Sequence, residues 1–153
     1  VRNNIVPETA TLTGTIRTFD AAVRRSIHEK IRSIAQQTAT AMGAVATVEI
    51  DPGVPVTFND AALTKQMVPT LERVYGEGAV FESPRVTGAE DFSFYQEQVP
   101  GFFFFIGARP PELSAAEAIP NHSPFFYVDE NALAPAVRAM TQLAIDYLNA
   151  GAR

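Results

Sequence analysis

Val23, Ile27, Ile31, Ile34, Thr38 and Met42 follow one another at intervals of 4, 4, 3, 4 and 4, the period of a helix with one apolar face. Arg24, Arg25, Glu29, Lys30 and Arg32 fall off that stripe, so the pattern sends them to water and the stripe to a sheet. Asp20 stands where an N-cap is needed, and Gly43 supplies a C-terminal stop. On either side of this helix the period changes to two. Residues 11–19 are rich in β-branched side chains, with Leu12 and Ile16 on one face and Arg17 and Phe19 on the other. Residues 46–50 predict a second strand, ended by Asp51-Pro52-Gly53. The first third therefore reads as β-α-β. Two strands and one helix bury little apolar surface alone, so the unit is expected to lean on an upstream half or on another subunit. Its strand edges invite pairing.

Asn59-Asp60 predicts the cap of a second helix reaching Tyr75, with Leu63, Met67, Leu71 and Val74 on one side and Gly76 at its end. Pro69 lies inside this pattern and is expected to kink or split it. Residues 80–82 read as a short strand. Residues 88–92 read as a turn into a short helix that stops before Pro100. Residues 102–108 are a continuous apolar run, which suits a strand buried on both faces, and residues 110–120 read as loop. From Glu130 to Ala150 the helical period returns, with Leu133, Val137, Met140, Ala144, Tyr147 and Leu148 on one side and Gly151 after them. Helix, buried strand and helix together predict layered α/β packing.

The chain has 153 residues, 46% of them hydrophobic and 19% charged, enough for one ordinary domain with a core. The formal charge of −5 argues against nucleic acid and against an anionic membrane as partners, since both need basic surface. The charge is uneven. Residues 1–58 carry six basic and five acidic side chains, and residues 59–153 carry six and twelve, so the nets are +1 and −6. Two pieces of different character are expected to meet near residues 55–60. The chain has no cysteine, which excludes disulfides, thiolate metal sites and cysteine nucleophiles within it. The longest apolar run, residues 102–106, is far too short to span a bilayer. The first residues do not read as a signal peptide, and without an initial Met the chain is expected to begin inside a longer one.

Two histidines carry most of the candidate chemistry. His28 falls among Arg24, Arg25 and Arg32, where periodicity reads it as a solvated surface residue. His122 sits in Ile119-Pro120-Asn121-His122-Ser123-Pro124, between the apolar run and the last helix. Layered α/β folds place functional groups in such loops, and imidazole serves as metal ligand or general base. A lone loop histidine is by itself weak evidence, and an ordinary surface residue is the plainer reading. Glu90 and Asp91 lie at a helix start, where acidic residues are favoured by the helix dipole. The functional alternative is that one of them orients a histidine or a substrate group. Arg17 reads as a solvated strand residue or as a bidentate grip on a carboxylate. Neither a phosphate-cradling glycine loop nor a serine nucleophile elbow is present. The run of four phenylalanines lacks interleaved basic residues, so it reads as core and not as a stacking platform.

Several segments taken in order resemble one family. Asn4-Ile5-Val6-Pro7-Glu8 and Gly14-Thr15-Ile16-Arg17-Thr18-Phe19-Asp20 resemble consecutive segments of the two-zinc aminoacylase and carboxypeptidase family. Gly88-Ala89-Glu90-Asp91-Phe92-Ser93 resembles the Gly-Ser-Glu-Asp-Phe segment of its hippurate hydrolase and auxin-conjugate hydrolase branch. Asn121-His122-Ser123-Pro124, followed by Phe126, Asp129-Glu130 and Ala132-Leu133, resembles that branch's C-terminal signature.

The resemblance implies an α/β fold in two parts. Residues 1–58 would be the second half of a small two-layer α+β lid domain. Residues 59–153 would be the C-terminal part of a three-layer α/β/α metallohydrolase domain. It implies hydrolysis of the amide bond of a small-molecule N-acyl amino acid by a divalent metal pair, zinc or manganese, with a glutamate moving the proton. By motif, His122 is the last metal ligand, and Asn4 and Arg17 match lid positions facing the substrate. Glu90 or Asp91 is the expected partner of the imidazole's other nitrogen. A cytoplasmic enzyme, a homodimer formed through the lid, and a missing N-terminal half of the same enzyme are further expectations. The family's other ligands and its catalytic glutamate lie upstream of Asn4, in segments absent here. The 153 residues alone are therefore expected to be inactive and to bind no tight metal pair. The rival expectation is a non-catalytic oligomerisation or binding module.

Overall fold

The computed structural model describes residues 4–151. The chain divides into two compact units, Val1–Val56 with Thr87–Ala89, and Thr57–Val86 with Glu90–Arg153.

The first unit is organised by one helix, α1 (Ala21–Ala41). Asp20 caps it: its side chain accepts a hydrogen bond from the Val23 N–H at 2.8 Å, satisfying one of the first-turn donors that no helix can pair internally. At the other end Gly43 takes φ +72°. The Gly43 and Ala44 N–H groups turn back to the carbonyls of Thr40 and Ala39, at 3.1 and 2.8 Å. That pair of bonds is a Schellman closure, and the left-handed residue it needs is cheapest as glycine. The apolar stripe is where the expectation changes. No residue of α1 is buried, Ile27 is half-buried, and Ile34 is 64% exposed. Arg24, expected in water, is half-buried, and its guanidinium donates to the carbonyls of Val54 at 2.8 Å and Pro52 at 3.3 Å. His28 is likewise half-buried, not fully solvated.

The predicted strands have no ladder. Among the described residues no strand forms over 11–19, 46–50, 80–82 or 102–108. The physical reason is the absence of neighbours: strand backbone is stable only when its N–H and C=O groups meet those of another strand. Alternation survives locally. Ala46, Val48 and Ile50 are half-buried, while Thr47 and Glu49 are exposed.

In the second unit two helices pack together. Helix α2 (Ala61–Tyr75) is capped by Asp60, whose carboxylate accepts from the Leu63 N–H at 2.8 Å, and Gly76 ends it at φ +96°. Pro69 neither splits nor ends it. Lys65, whose carbonyl loses its N–H partner, and Pro69 are both exposed, so water can take the freed acceptor. A short helix, α3 (Phe92–Gln96), follows. After a 3₁₀ turn over Glu130–Ala132 comes α4 (Leu133–Gly151), which starts later than the periodicity suggested. Met67, Thr70 and Leu71 of α2 are buried, as is Ala139 of α4.

A polar cluster fastens this pair. The Asp146 carboxylate accepts from the Thr70 hydroxyl at 2.5 Å and from the Gln142 amide at 2.8 Å, and it pairs with Arg73. Arg73 also donates to the Thr70 hydroxyl at 3.1 Å. This attachment decides which side of α4 faces inward. Ala139 is buried, and Ala136, Leu143 and Asp146 are half-buried. The stripe expected to form the core points outward, with Val137 at 68% and Leu148 at 70% exposure. Helix α4 thus has two apolar sides, and such a helix is suited to contacts on both. No helix among the described residues is long and apolar enough to cross a membrane.

The apolar run 102–108 is held from its ends and by one side chain. Asn59 donates from its amide nitrogen to the Phe103 carbonyl and accepts from the Phe103 N–H through its amide oxygen, both at 2.7 Å. The Asp60 N–H donates to Gly101 O at 3.0 Å, and the Asp129 N–H to Ala108 O at 2.9 Å. The rings keep strand alternation: Phe102 stacks on Phe104 with centroids 5.4 Å apart, and Phe103 meets Phe105 edge-on at 5.2 Å. Burial on both faces is not reached, since Phe102 to Phe104 are half-buried and Phe105 is 62% exposed.

The Asp146 cluster sets a pH dependence. Hydrogen bonds from Thr70 and Gln142, joined by Arg73, hold the Asp146 carboxyl below the usual carboxylate range. Its contribution to stability is therefore complete above the unfolded value of about 3.9 and is lost as pH falls through the lower folded value. Thermal unfolding followed from pH 6 down to pH 2 should show a loss on the acid side that Asp146→Asn reduces. An unchanged acid limb in that variant would remove Asp146 from the account.

Candidate functional site

The segment joining the apolar run to α4 forms a single long loop. Its neck is closed by the Asp129 N–H to Ala108 O bond, and its interior is folded by short turns. The Leu113 N–H donates to Pro110 O at 3.1 Å, and the Glu117 and Ala118 N–H groups donate to Ser114 O at 3.1 and 3.2 Å. The Ser114 N–H returns to the Glu117 carboxylate at 2.9 Å. Bonds from Ser114 hold the Glu117 carboxyl below its ordinary value. A loop this long, closed at its neck and packed by its own turns, is uncommon except where it carries function.

His122 occupies the most demanding position in it. The Ser123 N–H donates to Pro120 O at 3.3 Å, so Asn121 and His122 are the central residues of a turn. His122 has φ +73° and is the one non-glycine residue with positive φ among those described. Negative φ at Asn121 followed by positive φ at His122 is the pattern of a type II turn, whose second central position favours glycine. The Ser123 hydroxyl accepts from the Phe125 N–H at 3.2 Å, and Ser123 O accepts from the Phe126 N–H at 3.1 Å. The imidazole itself is exposed and makes no hydrogen bond among the described residues. The loop and the end of the apolar run line an open depression of about 370 Å³, whose lining includes Phe105, Arg109, Ile119, Asn121, Phe126 and Tyr127 but not His122.

The other expected residues are placed as follows. Asn4 is exposed. Arg17 is exposed and donates to the Thr87 carbonyl, so one of its N–H groups is already engaged within the first unit. Glu90 is half-buried, and its backbone carbonyl accepts from both the hydroxyl and the N–H of Ser93, at 2.6 and 3.2 Å. Asp91 is exposed, and its side chain makes no capping bond to α3. Neither carboxylate is hydrogen-bonded to His122. A catalytic zinc usually takes three protein ligands, and no group of three His, Asp or Glu side chains able to hold a metal ion occurs among the described residues. These residues therefore do not by themselves fit a resident metal pair; His122 offers one donor. Sequence reasoning passed over two features. Asn59 was legible only as a helix cap, and Arg109, between the apolar run 102–108 and the loop 110–120, was not singled out.

The turn at His122 yields a direct test. In left-handed backbone a side chain costs about 1–2 kcal/mol that glycine avoids, and glycine's unfolded-state entropy offsets part of this. Chemical denaturation should find His122→Gly more stable than His122→Ala, by up to ~1 kcal/mol. Equal stability of the two variants would show that the strain at this position does not exceed the entropy glycine adds to the unfolded chain, contrary to this expectation.

The chain matches the model of peptidase family M20/M25/M40 over residues 4–146. It is 34% identical to thermostable carboxypeptidase 2 of Saccharolobus solfataricus over 97% of its own length and 37% of the relative's. It is 33% identical to N-acetylcysteine deacetylase of Bacillus subtilis over 93% of its length and 35% of the relative's. With IAA-amino acid hydrolase ILR1-like 6 of Arabidopsis thaliana the identity is 32%, over 95% of this chain and 32% of the relative. The chain thus spans about a third of the length of the curated relatives it matches. No solved structure matches it significantly. With the family model covering nearly every described residue, including the loop that carries His122, the chain belongs to peptidase family M20/M25/M40.

Proposed function

We propose that these residues form the C-terminal portion of a metal-dependent amidohydrolase that cleaves the amide bond of N-acyl amino acids or related small conjugates. Family membership supports hydrolysis. The names of three relatives, a carboxypeptidase, an N-acetylcysteine deacetylase and an IAA-amino acid hydrolase, support an amide next to an amino acid as the bond attacked. The observation that carries the reading is His122: an exposed imidazole with no hydrogen bond among the described residues, in a backbone conformation that a histidine adopts at a cost.

In this reading His122 is one ligand of a zinc or manganese pair. The remaining ligands and the catalytic glutamate come from a part of the enzyme upstream of these residues. With those groups outside the 153 residues, this reading expects the 153 residues alone to be inactive. Residues 1–58 belong to a lid that brings Asn4 and Arg17 to the substrate and forms a homodimer. Residues 59–153 complete a three-layer catalytic domain. Glu90 or Asp91 fixes the imidazole nitrogen that does not face the metal. The enzyme works in the cytoplasm.

Metal content and amide hydrolysis, measured together on the full-length protein, test the reading. His122→Ala should lose metal and turnover in parallel, whereas His28→Ala, half-buried within α1, should keep both. Full metal content and activity in His122→Ala would overturn the assignment and favour a non-catalytic interaction module.

A further inference from the structure

We infer that Gln96 is a positioning residue for the hydrolysis proposed above: with Asn59 it forms an amide clamp, seated against Gly101, that joins the turn carrying Glu90 and Asp91 to the run that leads into the His122 loop. This role rests on the hydrolase reading and adds to it a residue distant in sequence from His122. The bonds converge on two side chains. The Phe58 N–H donates to Gln96 Oε1 at 3.0 Å, and Gln96 Nε2 donates to Asn59 Oδ1 at 3.4 Å. Asn59 holds the N–H and the C=O of Phe103 through its own amide, both at 2.7 Å. The lead-in to α2, the end of α3 and the run 102–108 thus meet at one amide pair.

Gly101 makes room for this pair. A Cβ there would stand 2.5 Å from Gln96 Cγ and 3.1 Å from its Nε2, closer than side chains tolerate. Gly101 is buried and its φ is not positive, so the backbone does not call for glycine and the Gln96 side chain does. Local bonds carry the clamp to both ends. From Gln96 back to Glu90, the Phe94 N–H donates to Asp91 O at 3.0 Å, and the Ser93 hydroxyl and N–H donate to Glu90 O. From Phe103 forward, the run reaches Ala108, whose carbonyl holds the neck of the His122 loop. The Phe92 and Phe103 rings, 5.8 Å apart, meet at the same junction. Apolar contact is not directional, whereas hydrogen bonds fix both distance and angle. Glutamine is also costly to immobilise, and an apolar side chain of its length would fill the space as well; what the amide adds is orientation. Misplacing reacting groups by about 1 Å can cost on the order of a hundredfold in rate. Extended backbone turns the polar groups of successive residues to opposite edges, so the clamp takes one edge at Phe103 and leaves the edge at Phe102 and Phe104 to a neighbour.

Two readouts on the full-length protein test this, taken at a temperature where every variant is fully folded. The first variant is Gln96→Met, which keeps the side chain's length and removes its bonds. Hydrogen exchange of the Phe58 amide should speed up about tenfold. For a panel of N-acetyl-L-amino acids kcat should fall about tenfold or more while KM stays within about twofold, because the reacting groups are displaced and the binding groups are not. Gln96→Glu, which keeps the acceptor for Phe58, should retain part of kcat. Gly101→Ala should lower kcat as Gln96→Met does, and adding it to Gln96→Ala should cost nothing further, since the side chain it displaces is gone. Unchanged Phe58 exchange in Gln96→Met would overturn the clamp. Faster exchange with unchanged kcat would overturn the positioning role. Additive losses from Gly101→Ala and Gln96→Ala would overturn the seat at Gly101. A full-length protein that hydrolyses none of these amides would overturn the hydrolase reading instead, and Phe58 exchange would still decide the clamp.

Discussion

Extended backbone needs partners for its polar groups, and the run 102–108 finds only a few. Asn59 supplies both at Phe103, Asp60 meets Gly101, and Asp129 meets Ala108. The N–H groups of Phe102, Phe104, Phe105 and Ile106 have no protein partner among the described residues. A polar group shut away from water without a partner costs about 1–3 kcal/mol, so the three attachments matter for where the run lies. They also set what surrounds it. The contact at Ala108 closes the neck of the loop that carries His122. The contacts at Gly101 and Phe103 tie the run to the start of α2. Through the Asp146 cluster α2 in turn fixes the orientation of α4.

The same constraint accounts for the faces left open. Once Ala139 and Asp146 are turned toward α2, the larger side chains of α4 are left exposed among the described residues. The α1 stripe is in the same position. The chain spans about a third of its relatives and carries two amphipathic helices whose larger apolar stripes are exposed among the described residues, which suits the layered reading proposed above.

Helices were legible in the sequence and strands were not. The spacing 4, 4, 3 is satisfied by bonds inside the helix itself, and the caps Asp20 and Asp60 act within three residues. A ladder is satisfied only by another segment, which no local pattern supplies. Burial failed for a related reason. Periodicity located the larger apolar stripe of α4, but small Ala139 and polar Asp146, Thr70 and Arg73 decided which side packs inward. At the candidate site the motif around His122 was legible, but its left-handed backbone was not, because glycine usually marks that turn position.

In the reading proposed above, residues 102–108 would become a paired strand only in the full-length protein, where residues outside those described would supply its neighbours. Amide hydrogen exchange across this run, compared between the 153-residue chain and the full-length protein, tests it most directly. In the short chain the Phe103 amide should be the slow one, with Phe102, Phe104, Phe105 and Ile106 exchanging quickly. In the full-length protein all five should be protected together, as in a central strand. Equal, fast exchange of these amides in both would contradict the claim.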